Sequence, residues 1–199
     1  MTAAHTHLAC PTALVGAPID VVWGLLMNTA GWGKFYDLKV LSVDPPGPAA
    51  PGQRLIGNPG PSFLPMRITF DFTEVDPVNH RLGIDGRLPL GIKVRENMNL
   101  IRVDDVRCRV NYNCDFTLPL GLRGAILRRA LGSGFDSGPA DSLSRLKREA
   151  ERVYTSGRGT PEGVSATPVL RAPPRPPALH TLACRRASAL KAFLCAWAS

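Results

Sequence analysis

One carboxylate in this chain stands where strand alternation otherwise places apolar side chains. In IKVRENMNLIRV, residues 92–103, Ile92, Val94, Glu96, Met98 and Leu100 share a face. In VRCRVNYNCDFTL, residues 106–118, the shared face holds Val106, Cys108, Val110, Tyr112, Cys114, Phe116 and Leu118. A carboxylate on a buried face must be paired or protonated, and burial in a dry site lifts its pKa toward the range useful for acid/base chemistry. Glu96 is therefore a candidate proton carrier or ligand-orienting group. Two plainer readings stand beside it: a small bulge turns it outward, or an arginine such as Arg67 or Arg95 neutralises it. Tyr112 carries a phenol able to hydrogen-bond a carbonyl or an enolate. Cys108 and Cys114 lack a nearby histidine in sequence, and His80 falls at a turn. A cysteine–histidine nucleophile would need the fold to bring the two together; otherwise both thiols are small buried hydrophobes.

Other chemistries lack their signatures. The chain has no phosphate loop, no dinucleotide fingerprint, no HExxH and no GxSxG. We expect no cofactor and no metal. His5 and His7 are two residues apart with nothing nearby to complete a metal site. The five cysteines are odd in number and form no CxxC, which points to reduced thiols and a cytoplasmic location. The net charge of +8 is unevenly spread: residues 1–157 hold 18 Lys/Arg against 15 Asp/Glu, and residues 158–199 hold six against one. A body so near neutrality argues against nucleic acid as a partner. No secretory leader is expected, and no apolar run is long enough for an integral membrane segment. Nothing in the sequence indicates a homodimer, although one is possible.

These side chains need a frame. The two alternating strands, joined at Asp104-Asp105, read as an antiparallel hairpin with one wet face. Upstream, Met66, Ile68, Phe70 and Phe72 alternate with polar residues, and Arg81–Asp85 forms another strand after the turn Asp76-Pro77-Val78-Asn79. Leu38–Val43 and Arg54–Gly57 are shorter strands separated by the proline-rich 45–52. Residues 1–7 are expected to be loose and Leu8–Val15 to form a first strand. Ile19, Val22, Trp23 and Leu26 make a helical stripe, with Pro18 placed at its first helical position and Asp20 in its first turn. Trp32, Phe35 and Tyr36 follow in a turn or short helix that either plugs a cavity or completes a core. The stretch 122–154 is helical. Its second half carries Leu143, Leu146, Ala150 and Val153 on one face, while Gly132, Gly134, Gly138 and Pro139 predict two pieces or one bent helix. Residues 157–199 read as a proline-rich, basic, unstructured tail with a possible short terminal helix.

This order resembles the helix-grip fold of the START-like superfamily, also called SRPBCC or Bet v 1-like, and most nearly its polyketide cyclase/dehydrase and lipid-transport branch. The likeness rests on APIDVVWGLLMNTAGWGKFY (17–36), FDFTEVDPVNHRLGI (70–84), RCRVNYNCDFTLPLGLRGAILRRAL (107–131) and DSLSRLKREAE (141–151). It implies an α+β domain over residues 8–156. In it a curved antiparallel sheet wraps a long C-terminal helix, and two short helices follow the first strand.

The resemblance further implies a cavity between sheet and helix for a hydrophobic aromatic or acyl molecule. Its lining would come from Trp32, Phe35, Phe70, Phe72, Ile84, Val94, Met98, Cys108, Val110, Cys114 and Phe135, with Glu96 and Tyr112 as the catalytic pair. A cyclase or dehydratase could work there by positioning a reactive chain and moving protons. A non-catalytic carrier would need only the apolar walls. An interaction module using the arginine-rich outer face or the tail would instead leave the cavity empty or collapsed. Fold alone does not choose among the three.

Overall fold

The computed structural model describes residues 6–59 and 66–157. The tail expected after Gly157 and its terminal helix therefore lie outside the described residues, as does most of the turn expected at 58–65.

Eight strands form one antiparallel sheet: β1 (Thr6–Ala9), β2 (Thr12–Val15), β3 (Lys39–Asp44), β4 (Arg54–Asn58), β5 (Ile68–Asp76), β6 (Arg81–Arg87), β7 (Lys93–Asp104) and β8 (Arg107–Thr117). Their order is β1-β8-β7-β6-β5-β4-β3, with β2 also on β8. Between β2 and β3 lie the helix α1 (Ile19–Met27) and a 3-10 turn, Thr29–Lys34. The chain ends in α2 (Leu122–Gly157), which packs on β1, β2, β8, α1 and the 3-10 turn. The architecture is the expected one: a curved antiparallel sheet gripping a long C-terminal helix.

The alternation holds from Val94 to Leu100 on β7 and from Cys108 to Phe116 on β8, but Val106, expected on the inner face, lies in the hairpin turn and is 40% exposed. Val94, Glu96, Met98 and Leu100 are buried on one strand, and Cys108, Val110, Tyr112, Cys114 and Phe116 on the next. The outer face is wet and ion-paired: Asp71 binds Arg54 at 2.6 Å and Arg87 at 2.9 Å, and Asp85 binds Arg95 at 3.3 Å. Turns are closed by aspartate. Asp76 Oδ1 accepts the N–H groups of Val78 and Asn79, and Asp104 Oδ1 accepts that of Val106, all at 3.0 Å.

Four local expectations are revised. Residues 8–15 are not one strand, because Pro11 has no N–H to donate. The chain breaks there into β1 and β2, yet Pro11 keeps its place by accepting Tyr112 N–H at 3.0 Å. The loose start does not extend to residue 7: Thr6 and His7 lie in β1, and His7 Nε2 stands 2.8 Å from Asp136 Oδ1 on α2. Pro18 caps α1 from outside it, with an extended ψ of 149° and its carbonyl accepting from Val21 and Val22.

The largest revision is α2, which runs unbroken through Gly132, Gly134, Gly138 and Pro139. Each interior glycine costs roughly 1 kcal/mol and an interior proline about 3 kcal/mol. The buried row Leu127, Leu131, Phe135, Pro139, Leu143, Leu146 and Ala150 offsets that cost by packing one face on the sheet. Gly124 is obligatory at the helix start, since a Cβ there would fall 1.9 Å from Pro119 O.

Candidate functional site

Three polar side chains meet under α2. Glu96, the fourth residue of β7, is 5% exposed and lies between Ile84 of β6 and Cys114 of β8. Neither bulge nor arginine intervenes: the only register shift between β7 and β8 falls at Arg102/Asp104, and Arg95 points outward to Asp85. Its partner is Tyr36, whose hydroxyl donates to Glu96 Oε2 at 2.7 Å. The Tyr112 hydroxyl lies 3.1 Å from the Tyr36 oxygen. With Tyr36's single proton committed to Glu96, Tyr112 donates in turn, giving the chain Tyr112 to Tyr36 to Glu96.

Burial raises the Glu96 pKa, and the hydrogen bond from Tyr36, with Tyr112 behind it, holds part of that rise back. Both phenols are pushed well above their usual value, by burial first and by the Glu96 charge second. They therefore stay protonated donors at neutral pH. The arrangement can hold a carboxyl group near the point of proton exchange, backed by two phenols.

An aromatic cluster positions Tyr36. Its ring stacks on Trp32 with centroids 4.9 Å apart and planes at 12°, and tilts against Phe70 at 5.6 Å. Trp32 is fully buried, meets Phe72 at 5.1 Å and Phe35 at 5.8 Å, and donates its indole N–H to Leu26 O at 3.0 Å. Hence the 3-10 turn is locked to the end of α1, and Tyr36 follows it onto the sheet.

Phe35, Tyr36, Met98 and Tyr112 line a cleft closed on the other side by Ser142, Leu143 and Leu146 of α2. Its walls meet so closely that no water-sized sphere fits between them. Pockets for drug-sized ligands run to about 300–1,000 Å³, so an occupant of that size would have to part α2 from the sheet.

Of the residues singled out in the sequence, Phe35, Met98 and Tyr112 line this cleft, and Glu96 is hydrogen-bonded just behind it. Trp32, Phe70 and Phe72 form the aromatic support. Ile84, Val94, Cys108, Val110 and Cys114 are buried along the inner sheet face, and Phe135 packs on Phe116 at 4.9 Å. Burial drives the Cys108 thiol up to about 11 and raises Cys114 further, so neither is a thiolate near neutrality. His80 sits edge-on to Trp23 at 5.3 Å. Four lining residues were missed: Tyr36, Ser142, and Leu143 and Leu146, which the sequence marks only as the packing stripe of α2. Tyr36 was seen only as one of three aromatics after α1; nothing in its neighbours signals a contact 60 residues away. Ser142 carried no signal beyond adjacency to the apolar stripe. Among the described residues, no three His, Cys, Asp or Glu side chains group closely enough to hold a metal ion.

Sheet, gripped helix and buried polar cluster together define a protein of the helix-grip class. The family model for "Polyketide cyclase / dehydrase and lipid transport" matches residues 11–151, and the chain belongs to that family. No curated protein matches it. Among solved structures, an aromatase/cyclase from Streptomyces sp. R1128 superposes with a TM-score of 0.60 at 19% identity, over 77% of this chain and 99% of that one. A norcoclaurine synthase point mutant from Thalictrum flavum, solved with a transition-state analogue, gives 0.59 at 13% identity, over 80% and 100%. At such identities the likeness is one of fold.

Proposed function

We propose that this protein acts on a hydrophobic aromatic or acyl molecule between β7–β8 and α2, as a cyclase or dehydratase in which Glu96 carries the proton. The observation that supports this most is the buried Glu96 carboxyl hydrogen-bonded by Tyr36 at the edge of an apolar cleft. A carboxylate of raised pKa is a stronger base than one in water. In an aldol closure, Glu96 removes a proton from the carbon next to one carbonyl. The resulting enolate carbon bonds to a second carbonyl carbon, whose oxygen takes a proton from Tyr112. In the loss of water that follows, the Tyr112 phenolate takes a second proton from the same carbon, and the Glu96 proton departs with the hydroxyl as water, so that both groups regain their starting state. Family membership and the cyclase among its structural neighbours agree with this reading.

The closed cleft favours a second reading, an interaction module with no small ligand. A carrier lies between the two, needing the apolar walls without the proton transfer. Native mass spectrometry of the full chain purified from its own host separates them. A copurifying aromatic or acyl mass supports a pocket, and absence of any bound mass together with no saturable uptake of apolar probes rejects it. Once a ligand is known, Glu96→Gln with intact affinity and lost turnover identifies the enzyme. Unchanged turnover and affinity in Glu96→Gln would sink both the catalytic and the ligand-orienting roles of that residue.

A further inference from the structure

Four aliphatic side chains at one end of the molecule stand in water: Leu90 is 61% exposed, Leu120 61%, Leu122 78% and Ile126 57%. They come from two segments that touch. The turn Pro89–Gly91 links β6 to β7, with Leu88 N–H donating to Ile92 O at 2.9 Å, and a Cβ on Gly91 would stand 3.5 Å from the ring of Pro119. Leu120 follows that proline. Leu122 and Ile126 are one turn apart on α2, on a side that Leu127 and Leu131 leave free when they pack inward. Leu90 also has φ 65°, a backbone state that glycine or asparagine adopts at less cost than leucine. An exposed leucine held in that state contributes little to the fold.

The same surface is cationic. Between Asp115 and Asp136 the chain contains no acid, while Arg123, Arg128 and Arg129 are exposed there and Lys93 is exposed where β7 begins beside Thr117. None of these four enters an ion pair among the described residues, whereas Arg54, Arg87, Arg95 and Arg107 on the sheet are paired with Asp71, Asp85 and Asp104. The charge narrows the choice of occupant. A two-fold contact with a second copy would set these arginines against their equivalents. Residues 158–199 carry six Lys/Arg and one acid, so the chain's own tail has the same sign. The patch lacks the tryptophan or tyrosine anchors usual at protein hot spots. Projecting aliphatic side chains ringed by unpaired cations complement a surface with an acyl interior and negative headgroups.

We propose that the turn Pro89–Gly91 and the start of α2 dock this protein on an anionic lipid surface. Leu90, Leu120, Leu122 and Ile126 enter the acyl boundary, and Lys93, Arg123, Arg128 and Arg129 meet the headgroups. The test is co-sedimentation of the full chain with vesicles of phosphatidylcholine alone or mixed with phosphatidylserine. The chain should pellet with the mixed vesicles only, and less so as salt is raised. Leu120→Ser/Leu122→Ser/Ile126→Ser should lower partitioning by about tenfold or more, with unchanged circular dichroism because all three side chains are exposed. Leu90→Asn should lower it by a smaller factor while keeping the turn. The proposal is overturned if the full chain stays in the supernatant with mixed vesicles, as it would if the patch served an acidic protein. It is equally overturned if the triple variant pellets like the unaltered chain, since the tail's cations would then carry the binding.

Discussion

Glu96 and Glu149 are the same side chain in opposite settings. Glu96 is enclosed by the sheet and α2, receives a neutral phenol, and has its pKa raised chiefly by burial. Glu149, on the flank of α2, is met by Arg152 at 2.8 Å and Lys34 at 3.4 Å, and its pKa is lowered chiefly by the Arg152 hydrogen bond. The ion-paired carboxylate gains from being charged, and the buried one gains from being neutral. Only the second is poised to exchange a proton with something entering the apolar cleft, which is why chemistry is sought at Glu96.

That contrast can be broken most severely at its support. Trp32→Ala should destabilise the fold by about 3–5 kcal/mol in urea denaturation, because it empties the cluster that stacks Tyr36 in place. A loss below about 1 kcal/mol would mean that the aromatic cluster does not hold the site. Next comes Tyr36→Phe, which leaves Glu96 buried with one donor fewer. It should cost about 1–3 kcal/mol at neutral pH. The Glu96 pKa should rise further, read by carboxyl ¹³C chemical shifts, because a hydrogen bond that lowered it is gone.

The third test sharpens the contrast through pH. With a folded pKa above the ordinary 4.5, the folded chain binds more protons than the unfolded one between those two values. Stability from Glu96 is therefore greatest below 4.5 and is lost as pH rises through the folded pKa. Glu96→Gln should remove this decline, seen as a flatter plot of urea midpoint against pH. A variant that declines as steeply as the unaltered chain would show that Glu96 is not held toward its neutral form. The smallest effect belongs to Glu149→Gln. Its lowered pKa makes its contribution present above 4.5 and lost as pH falls through the folded value. The variant should thus lose a little stability at neutral pH and none in acid, the reverse of the Glu96 profile.

Much of the frame was legible because strand alternation and turn chemistry are local. The faces of β7 and β8, the aspartate turns at Asp76 and Asp104, and the inward position of Glu96 all follow from spacing two residues apart. Local rules failed where packing outweighed them. The glycines and Pro139 foretold a break in α2, yet the buried row from Leu127 to Ala150 carries the helix through. Residues 8–15 promised one strand, yet Pro11 divides it into two segments, both paired to β8 at the edge of the sheet.

By itself, the sequence determined which side chains could lie together on the inner face, since a strand offers only two sides and one of them is charged. It also determined the family, through segments spread over most of the domain. Only the tertiary structure decided what Glu96 touches. Tyr36 and Glu96 are 60 residues apart, and their 2.7 Å contact exists because Trp32 fixes the turn after α1 against a strand formed later in the chain. Whether the cleft is open was likewise decided by packing, because the fit of Leu143 and Leu146 against Met98 and Tyr112 depends on where α2 lies over the sheet.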